Sequence, residues 1–549
     1  MELDVNTLYN RRNDSRFNRV AVGDLVERIT YSYPDKHAII ACEGAYSDPN
    51  YREVSYRQFN EVANQFANAL LDRGFQRGDR VLFFCDNSAE AMIGKFGVAK
   101  AGLVNVPVNT MIAPDVIEYI IQLTEPVFIV SDAAHNEKLE SILSRLNQTS
   151  DVTILIGGDE LAIGSEPFTD FVNSRSTEAP DVTIHGDDIW EILFTSGTTS
   201  MPKGVMISHH YTYFAGYDYG MHFSRGLTFP GDYVLASFLP TIYHVADQTL
   251  PASVFLHAGT LVLGRSLDYP QLAQAITDYK VTALWAGFSD MLEKLVDCYD
   301  DHEQLYDFSS LTSILYGYAA LKPAYHKRLK EIGAPHIQTF ESFAQTEVIA
   351  GYRFYHDQHE AAYLEKAPLV NYVGFPDATL AAKRIDEQGQ EVDAEEAGEV
   401  VYQSPISFSG YYKNEEATRA SFTPDGWFKS GDGLAKDSDG VSIMIGRYKD
   451  IIKSGGENVA SPRVESVIKL HDAVDNAAVI GLPSEKWGEE VTAVVVLKEG
   501  VTVSGANLIA FCRERLAGFE TPKKVIFTDS LPESVAGKIR KYDLIQKYS

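Results

Sequence analysis

The sequence predicts an α/β protein of more than one unit: a large N-terminal domain of stacked α/β subdomains plus a β-rich subdomain, followed by a small C-terminal α+β domain. Three observations carry this. Short apolar runs alternate with helix-patterned segments through the first half, and the texture turns to short alternating strands near residue 400. A compact stretch with its own strands and helices then follows GRYKD at 446–450. A chain of 549 residues is also too long for one ordinary core.

From Arg80 to Asn109 the pattern predicts a strand (Val81 to Cys85), a polar turn (Asp86, Asn87, Ser88), a helix (Ala89 to Ala101) and an extended VNVPVN segment, which is one βαβ unit. The grammar repeats with a VFIVSD strand, a helix from about Asn136 to Leu146 and a VTILIGG strand. TLVLG near 260, VTALWAG near 281 and LTSILYG near 311 predict buried strands of a second sheet. ATLAAKRID, GEVVYQS and the turn-rich TPDGWFKSGDG predict the β-rich subdomain. In the last unit the strands are AAVIGLP and TAVVVLK, with helices around 463–470 and 505–516.

Composition narrows the function. Asp plus Glu number 76 against 48 Lys plus Arg, a formal net charge of -28. That balance repels nucleic acid and anionic lipid, so a polyanionic ligand must enter a locally basic or metal-loaded site. Cys42, Cys85, Cys298 and Cys512 are far apart with no CxxC pair, and they read as reduced, mostly packed thiols. MELDVNTLYNRRNDSRFNR at the start has no apolar signal segment, and no stretch approaches the roughly 20 apolar residues of a membrane helix. A cytoplasmic enzyme without a membrane span is the expectation.

The most informative segment is Ile192 to His209, ILFTSGTTSMPKGVMISH. An apolar strand enters a small, hydroxyl-rich loop with a glycine and one lysine, then returns as an apolar strand ending in Ser-His. Hydroxyls and backbone N–H groups of such a loop can wrap a polyphosphate, while Lys203 supplies charge and Pro202 stiffens the turn. The GxxxxGK[ST] spacing is absent, which argues against a P-loop NTPase. A generic polar turn between two strands has the same composition, so other segments must decide.

They form an ordered set. TSGTTSMPKG, ESFAQTE at 341–347, GWFKSGD at 426–432, GRYKDIIKSGGEN at 446–458 and AGKIRK at 536–541 resemble the signature motifs of the adenylate-forming superfamily. That group comprises acyl-CoA synthetases, peptide-synthetase adenylation domains and beetle luciferases, and the resemblance is strongest to acyl-CoA ligases. It covers nearly the whole chain, from GDRVLFF near 78 to the final lysine segment.

The resemblance implies roles residue by residue. Thr195, Ser196, Gly197, Thr198, Thr199 and Lys203 would hold the β- and γ-phosphates, with Ser200 where glycine is commoner. Glu347 would coordinate Mg²⁺, which prefers hard carboxylate oxygen, and Thr346 would bond the α-phosphate. Ser342, Phe343, Ala344 and Gln345 would line the adenine; Phe343-Ala344 replaces the usual Tyr-Gly, so the ring stacks without its hydroxyl. YGYAAL at 316–321 resembles a wall shared by the adenine and acyl sites, contributing Gly317, Tyr318 and Ala319. Tyr318 there either shortens the acyl pocket or is an ordinary packed tyrosine. Asp432 would accept from both ribose hydroxyls, Arg447 would contact ribose and phosphate, and Lys449 would mark a hinge.

On the acyl side the resemblance implies His244, Trp285, Gly287, Phe288, Gly317 and Tyr318, with the aromatic run from Tyr211 to Tyr219 as a wall. Ser454, Gly455, Gly456 and Glu457 would line a CoA channel. Lys538 would approach the carboxylate and the α-phosphate during adenylation. The implied domains are 1–446 for nucleotide and acyl binding, a hinge at 447–450, and a mobile lid at 451–549 carrying Lys538. His356 and His359, in HDQH, have metal-like spacing but read as a solvated loop.

The expected activity is ATP-dependent activation of a carboxylic acid through an acyl-adenylate and then thioester formation with coenzyme A, using ATP, Mg²⁺ and CoA. A medium-chain fatty, aryl or small carnitine-like acid is the expected substrate, and a homodimer is compatible with this reading. No carrier domain follows Lys538, which favours CoA; a separate carrier protein is the alternative acceptor. A catalytically degenerate nucleotide-binding protein is disfavoured because Lys203, Glu347, Asp432, Arg447 and Lys538 are all present.

Overall fold

Three sheets form where the apolar runs predict strands. The computed structural model describes residues 19–146, 151–156, 165–195, 201–367, 369–393, 396–454, 457–484, 486–533 and 539–549. In the first sheet Arg80–Phe84 lies between the parallel strands Val104–Pro107 and Phe128–Asp132, and Asp151–Ile156 and Ser165–Pro167 continue it. On its other side Val104–Pro107 pairs with Ile189–Thr195, which folds back on the antiparallel edge strand Lys203–Ser208. Strands apolar on both faces need cover on both. Val81 and Phe83 meet helices Tyr56–Asp72 and Ala89–Lys100, while Leu82 and Phe84 meet Pro114–Thr124 and Asn136–Leu146. Each such buried side chain contributes about 1.5–3 kcal/mol.

The second sheet holds His37–Ala41, Thr260–Leu263, Val234–Ser237, Ala283–Phe288, Ser313–Gly317 and Gln338–Gln345 in that spatial order, all parallel. Val348–Tyr355 then turns back antiparallel to Gln338–Gln345. The β-rich strands near residue 400 form as expected: Ala381–Ile385, Gly398–Gln403, Phe428–Lys436 and Ser442–Arg447. They do not stand apart, however, because Tyr372–Pro376 pairs with Val348–Tyr355 on one side and with Ser442–Arg447 on the other. Gly374, at φ +81°, permits the passage, since a Cβ there would lie 1.9 Å from the Arg353 carbonyl oxygen. The turn-rich reading of TPDGWFKSGDG also needs correction. The turn closes where the Thr423 N–H meets the Trp427 carbonyl at 2.8 Å, and Phe428 and Lys429 are already paired with Tyr402 and Val401.

In the small C-terminal domain Val474–Ser484 and Gly488–Leu497 form a long hairpin, extended by Ile452–Ser454, Glu457–Val459 and Lys524–Phe527. Helices Ser461–Lys469 and Gly505–Arg513 bury Val464, Ile468, Leu508 and Cys512 on one face, and Lys541–Tyr548 buries Leu544 on the other. The molecule is thus a mixed α/β fold with a large N-terminal and a small C-terminal part. All four cysteines are unpaired, three of them buried. Among the described residues no helix is long and apolar enough to cross a membrane.

Candidate active site

The hydroxyl-rich loop joins neighbouring antiparallel strands, with Thr195 directly opposite Lys203. Lys203 is therefore the first residue of the edge strand, and its side chain is aimed by that strand. Ser196, Gly197, Thr198, Thr199 and Ser200 lie outside the described residues. Thr346 and Glu347 form the two-residue tip of the hairpin between Gln338–Gln345 and Val348–Tyr355, where Gln345 pairs with Val348. One side chain joins the two elements. The Tyr411 hydroxyl donates to Glu347 Oε1 at 2.8 Å, and Lys203 Nζ sits 4.4 Å from the centre of the Tyr411 ring.

Glu347 suits a magnesium ion in chemistry and position. It offers hard carboxylate oxygen next to the Thr346 hydroxyl at a half-buried turn. Among the described residues, the groups of three side chains able to share an ion are Asp218–His222–Asp377 and His326–Asp357–Glu360. Neither includes Glu347, so magnesium there would take its other ligands from phosphate and water, as that ion prefers.

Asp432 and Arg447 are cross-strand partners on Phe428–Lys436 and Ser442–Arg447. The Arg447 guanidinium lies 3.2 Å from Asp432 Oδ1 and donates to the Ser430 carbonyl at 2.9 Å. Asp432 is buried while Arg447 is half exposed. Rings connect this pair to the ESFAQTE strand: Phe343 meets Tyr352 edge-on at 6.2 Å, Tyr352 lies 6.4 Å from Tyr402, and Asp432 and Arg447 act electrostatically on Tyr402. The Ser342 hydroxyl accepts from Arg353 at 2.7 Å, and Arg353 is itself bonded to Asp218 at 3.2 Å. Ala344 and Gln345 complete that strand, half-buried.

Gly317 ends Ser313–Gly317 close to the strand Gln338–Gln345, since a Cβ there would lie 3.0 Å from the Ser342 carbonyl oxygen. Tyr318 follows at φ +72°, an unusual conformation for a bulky residue. Its reading as an ordinary packed tyrosine is incorrect: it is 59% exposed and stacked on Phe288 at 4.3 Å. Ala319 is exposed beside it. Phe288 pairs in register with Gly317, while Trp285 shares an apolar cavity with Leu239 and Met291, the side chains a Cβ on Gly287 would strike.

His244 is buried, edge-on to Tyr211 at 5.4 Å, and the Tyr211 hydroxyl donates to the Thr346 carbonyl at 2.8 Å. Burial pushes its pKa down to about 3, so it is a neutral imidazole at physiological pH. It opens the π-helical turn Val245–Thr249, whose Asp247 forms a fully buried ion pair with Lys95. Ser454 is buried and pairs with Glu457. Gly455, Gly456 and Lys538 lie outside the described residues, as do the side chains of Glu457 and Lys449; the backbone of Lys449 sits in the short turn Tyr448–Asp450.

Two readings fail for want of long-range contacts. His356 is not solvated: it is fully buried, bonded to the Tyr316 hydroxyl at 2.7 Å and the Thr339 carbonyl at 2.8 Å. His359 stacks half-buried on Phe354 at 5.8 Å. Sequence reasoning also passes over Tyr411, whose one signal is the Gly-aromatic step in FSGYYKN.

The carboxyl of Glu341, which opens ESFAQTE, is pushed up to about 8 by burial, against weaker hydrogen bonds from Asn371 and Tyr316. Its folded value is above its unfolded one, so its contribution to stability is complete below about pH 4.5 and declines until pH passes about 8. Glu341→Gln, which mimics the protonated form, should flatten that decline. Thermal midpoints are expected to match wild type at pH 5 and to exceed it at pH 8.5, reflecting a stability difference on the order of a few kcal/mol. Equal pH profiles for both proteins would disprove the assignment.

Residues 26–412 match the family described as AMP-binding enzyme, and residues 463–538 match the AMP-binding enzyme C-terminal domain. The chain is 32% identical over 533 residues to 4-hydroxybutyrate–CoA ligase 2 of Metallosphaera sedula, spanning 94% of this chain and 93% of that one. It is 31% identical to the long-chain-fatty-acid–CoA ligase FadD13 of Mycobacterium tuberculosis, over 92% of this chain and 95% of that one. ATP-bound MatB from Rhodopseudomonas palustris has the same fold, with a TM-score of 0.78 at 27% identity, covering 96% of this chain and 99% of that one.

Proposed function

The chain belongs to the AMP-binding enzyme family, and from that premise we propose that it activates a medium-chain or smaller carboxylic acid with ATP and transfers the acyl group to coenzyme A. It is an acid–thiol ligase at the level of that family. The observation that supports the reading best is the joining of Lys203, Glu347 and Tyr411 where the two large sheets meet.

In the first half-reaction a substrate carboxylate oxygen bonds to the α-phosphorus while the bond to the bridging oxygen breaks, releasing pyrophosphate. Lys203 and the loop from Thr195 to Thr199 hold the departing phosphates, and Thr346 bonds the α-phosphate. Glu347 would hold magnesium, which would supply charge neutralisation at those phosphates. Asp432 accepts from the ribose hydroxyls, and Phe343 stacks on the base. Lys538, on the lid from 451 to 549, closes over the carboxylate.

In the second half-reaction a thiolate adds to the acyl carbon and AMP leaves. Rotation about the hinge at 447–450 replaces Lys538 by the channel of Ser454, Gly455, Gly456 and Glu457, where glycine backbone permits close approach of pantetheine. The Phe288–Tyr318 stack narrows the acyl side and supports a shorter acid. Relatives that act on 4-hydroxybutyrate and on long-chain fatty acids bracket the panel to test.

ATP–pyrophosphate exchange across aliphatic, hydroxylated, aryl and betaine-like acids, followed by thiol capture with CoA or a phosphopantetheinylated carrier protein, tests this. Exchange with a medium-chain or smaller acid and a CoA thioester product are expected. A carrier-bound product alone would overturn the acceptor, and absence of exchange with every acid would overturn the activity.

A further inference from the structure

Two opposite charges sharing a small cleft tend to collapse on each other, at about 4 kcal/mol for a contact near a protein surface. Lys203 and Glu347 both reach Tyr411, one over the ring and the other at the hydroxyl, yet no ion pair joins them among the described residues. We infer that Tyr411 is a positioning residue that keeps Lys203 and Glu347 apart and ready for the nucleotide phosphates and their metal ion. This rests on the nucleotide-binding reading above.

The ring and the hydroxyl do separate jobs. The ring face offers Lys203 a cation–π contact at 4.4 Å, which holds the ammonium without consuming its charge. The hydroxyl gives Glu347 a charge-assisted hydrogen bond at 2.8 Å, which orients the carboxylate. The ring itself is 5% exposed and held edge-on by Phe408 at 5.0 Å.

The backbone that carries Tyr411 ties the same two elements together. Along Ser407 to Tyr412, Phe408 N–H donates to the Glu347 carbonyl at 2.8 Å, and Ser407 bridges Val348. Ser409 N–H meets the Met206 carbonyl at 2.9 Å, Met206 N–H meets the Gly410 carbonyl at 3.0 Å, and Tyr412 N–H meets the Gly204 carbonyl at 2.8 Å. Thr418 Oγ1 accepts from Tyr411 N–H at 2.9 Å. One short strap therefore spans the strand that begins at Lys203 and the hairpin that ends at Glu347. Gly410, at φ +116°, supplies the sharp backbone step ahead of the tyrosine.

The test is equilibrium binding of ATP to the full chain, titrated with and without Mg²⁺, for wild type, Tyr411→Phe and Tyr411→Leu, with thermal midpoints measured alongside. Tyr411→Phe keeps the ring and loses the hydroxyl. It should raise the Mg²⁺ concentration for half-maximal ATP binding about tenfold, the size of one charge-assisted hydrogen bond, and leave metal-free ATP binding within about twofold. Tyr411→Leu should weaken metal-free binding as well, by about threefold or more. An unchanged Mg²⁺ requirement in Tyr411→Phe, or equal loss with and without metal, would reduce Tyr411 to packing. Failure of wild type to bind ATP would instead overturn the nucleotide-binding reading, and the inference with it.

Discussion

Glu347→Ala is expected to lower ATP–pyrophosphate exchange by about 100- to 1000-fold, the usual cost of removing one electrostatic stabiliser of the transferring group. The fold should survive, because the contacts that fix the hairpin tip are made by backbone: the Glu347 carbonyl accepts from Phe408 N–H at 2.8 Å, and the Thr346 carbonyl accepts from Tyr211 at 2.8 Å. Loss of the carboxylate leaves the Tyr411 hydroxyl without its acceptor, a small cost beside the lost metal ligand. Exchange rates over a range of Mg²⁺ concentrations should show a defect that excess metal relieves only in part. Glu347→Asp, which keeps the charge on a shorter arm, should fall between the two. Exchange within about threefold of wild type for Glu347→Ala would remove Glu347 from the metal site.

Lys538→Ala is expected to divide the two half-reactions. Adenylate formation should fall by about 100-fold or more, while thioester formation from a supplied acyl-adenylate should stay within a few fold of wild type. The expectation rests on the resemblance of the AGKIRK segment to the family's last motif, since Lys538 lies outside the described residues. Quenched-flow measurement of each half-reaction separates the outcomes. If both rates drop together, the lysine serves general architecture and the lid assignment falls.

What the sequence reveals follows the range of the forces involved. Strands such as Arg80–Phe84 and Phe128–Asp132 are legible because both of their faces are buried, which demands an unbroken apolar run. The helix Asn136–Leu146 is legible through its apolar spacing, with Leu139, Ile142 and Leu143 buried. His356 is misread because HDQH is polar by local composition, whereas the burial comes from Tyr316, His326 and Tyr363. TPDGWFKSGDG reads as turn-rich because of the Pro and Gly within it; pairing with Gly398–Gln403, remote in sequence, makes its second half a strand. The charged site residues are visible only as motif members, and nothing local distinguishes Asp432 from any aspartate in a turn. Tyr411 is hidden for the same reason, since its partners stand 208 and 64 positions away, 411 less 203 and 411 less 347.

The strand Tyr372–Pro376 has a mechanical consequence. Because it is laced on both edges, the β-rich end and the parallel strands of the second sheet share one hydrogen-bonded ladder from Ala381–Ile385 through to His37–Ala41. Neither part can peel away without tearing amides in the other, so their amides are expected to exchange with solvent as one cooperative unit. Asp432 and Phe343, to which the proposed function gives the ribose and the base, thus belong to one continuous sheet.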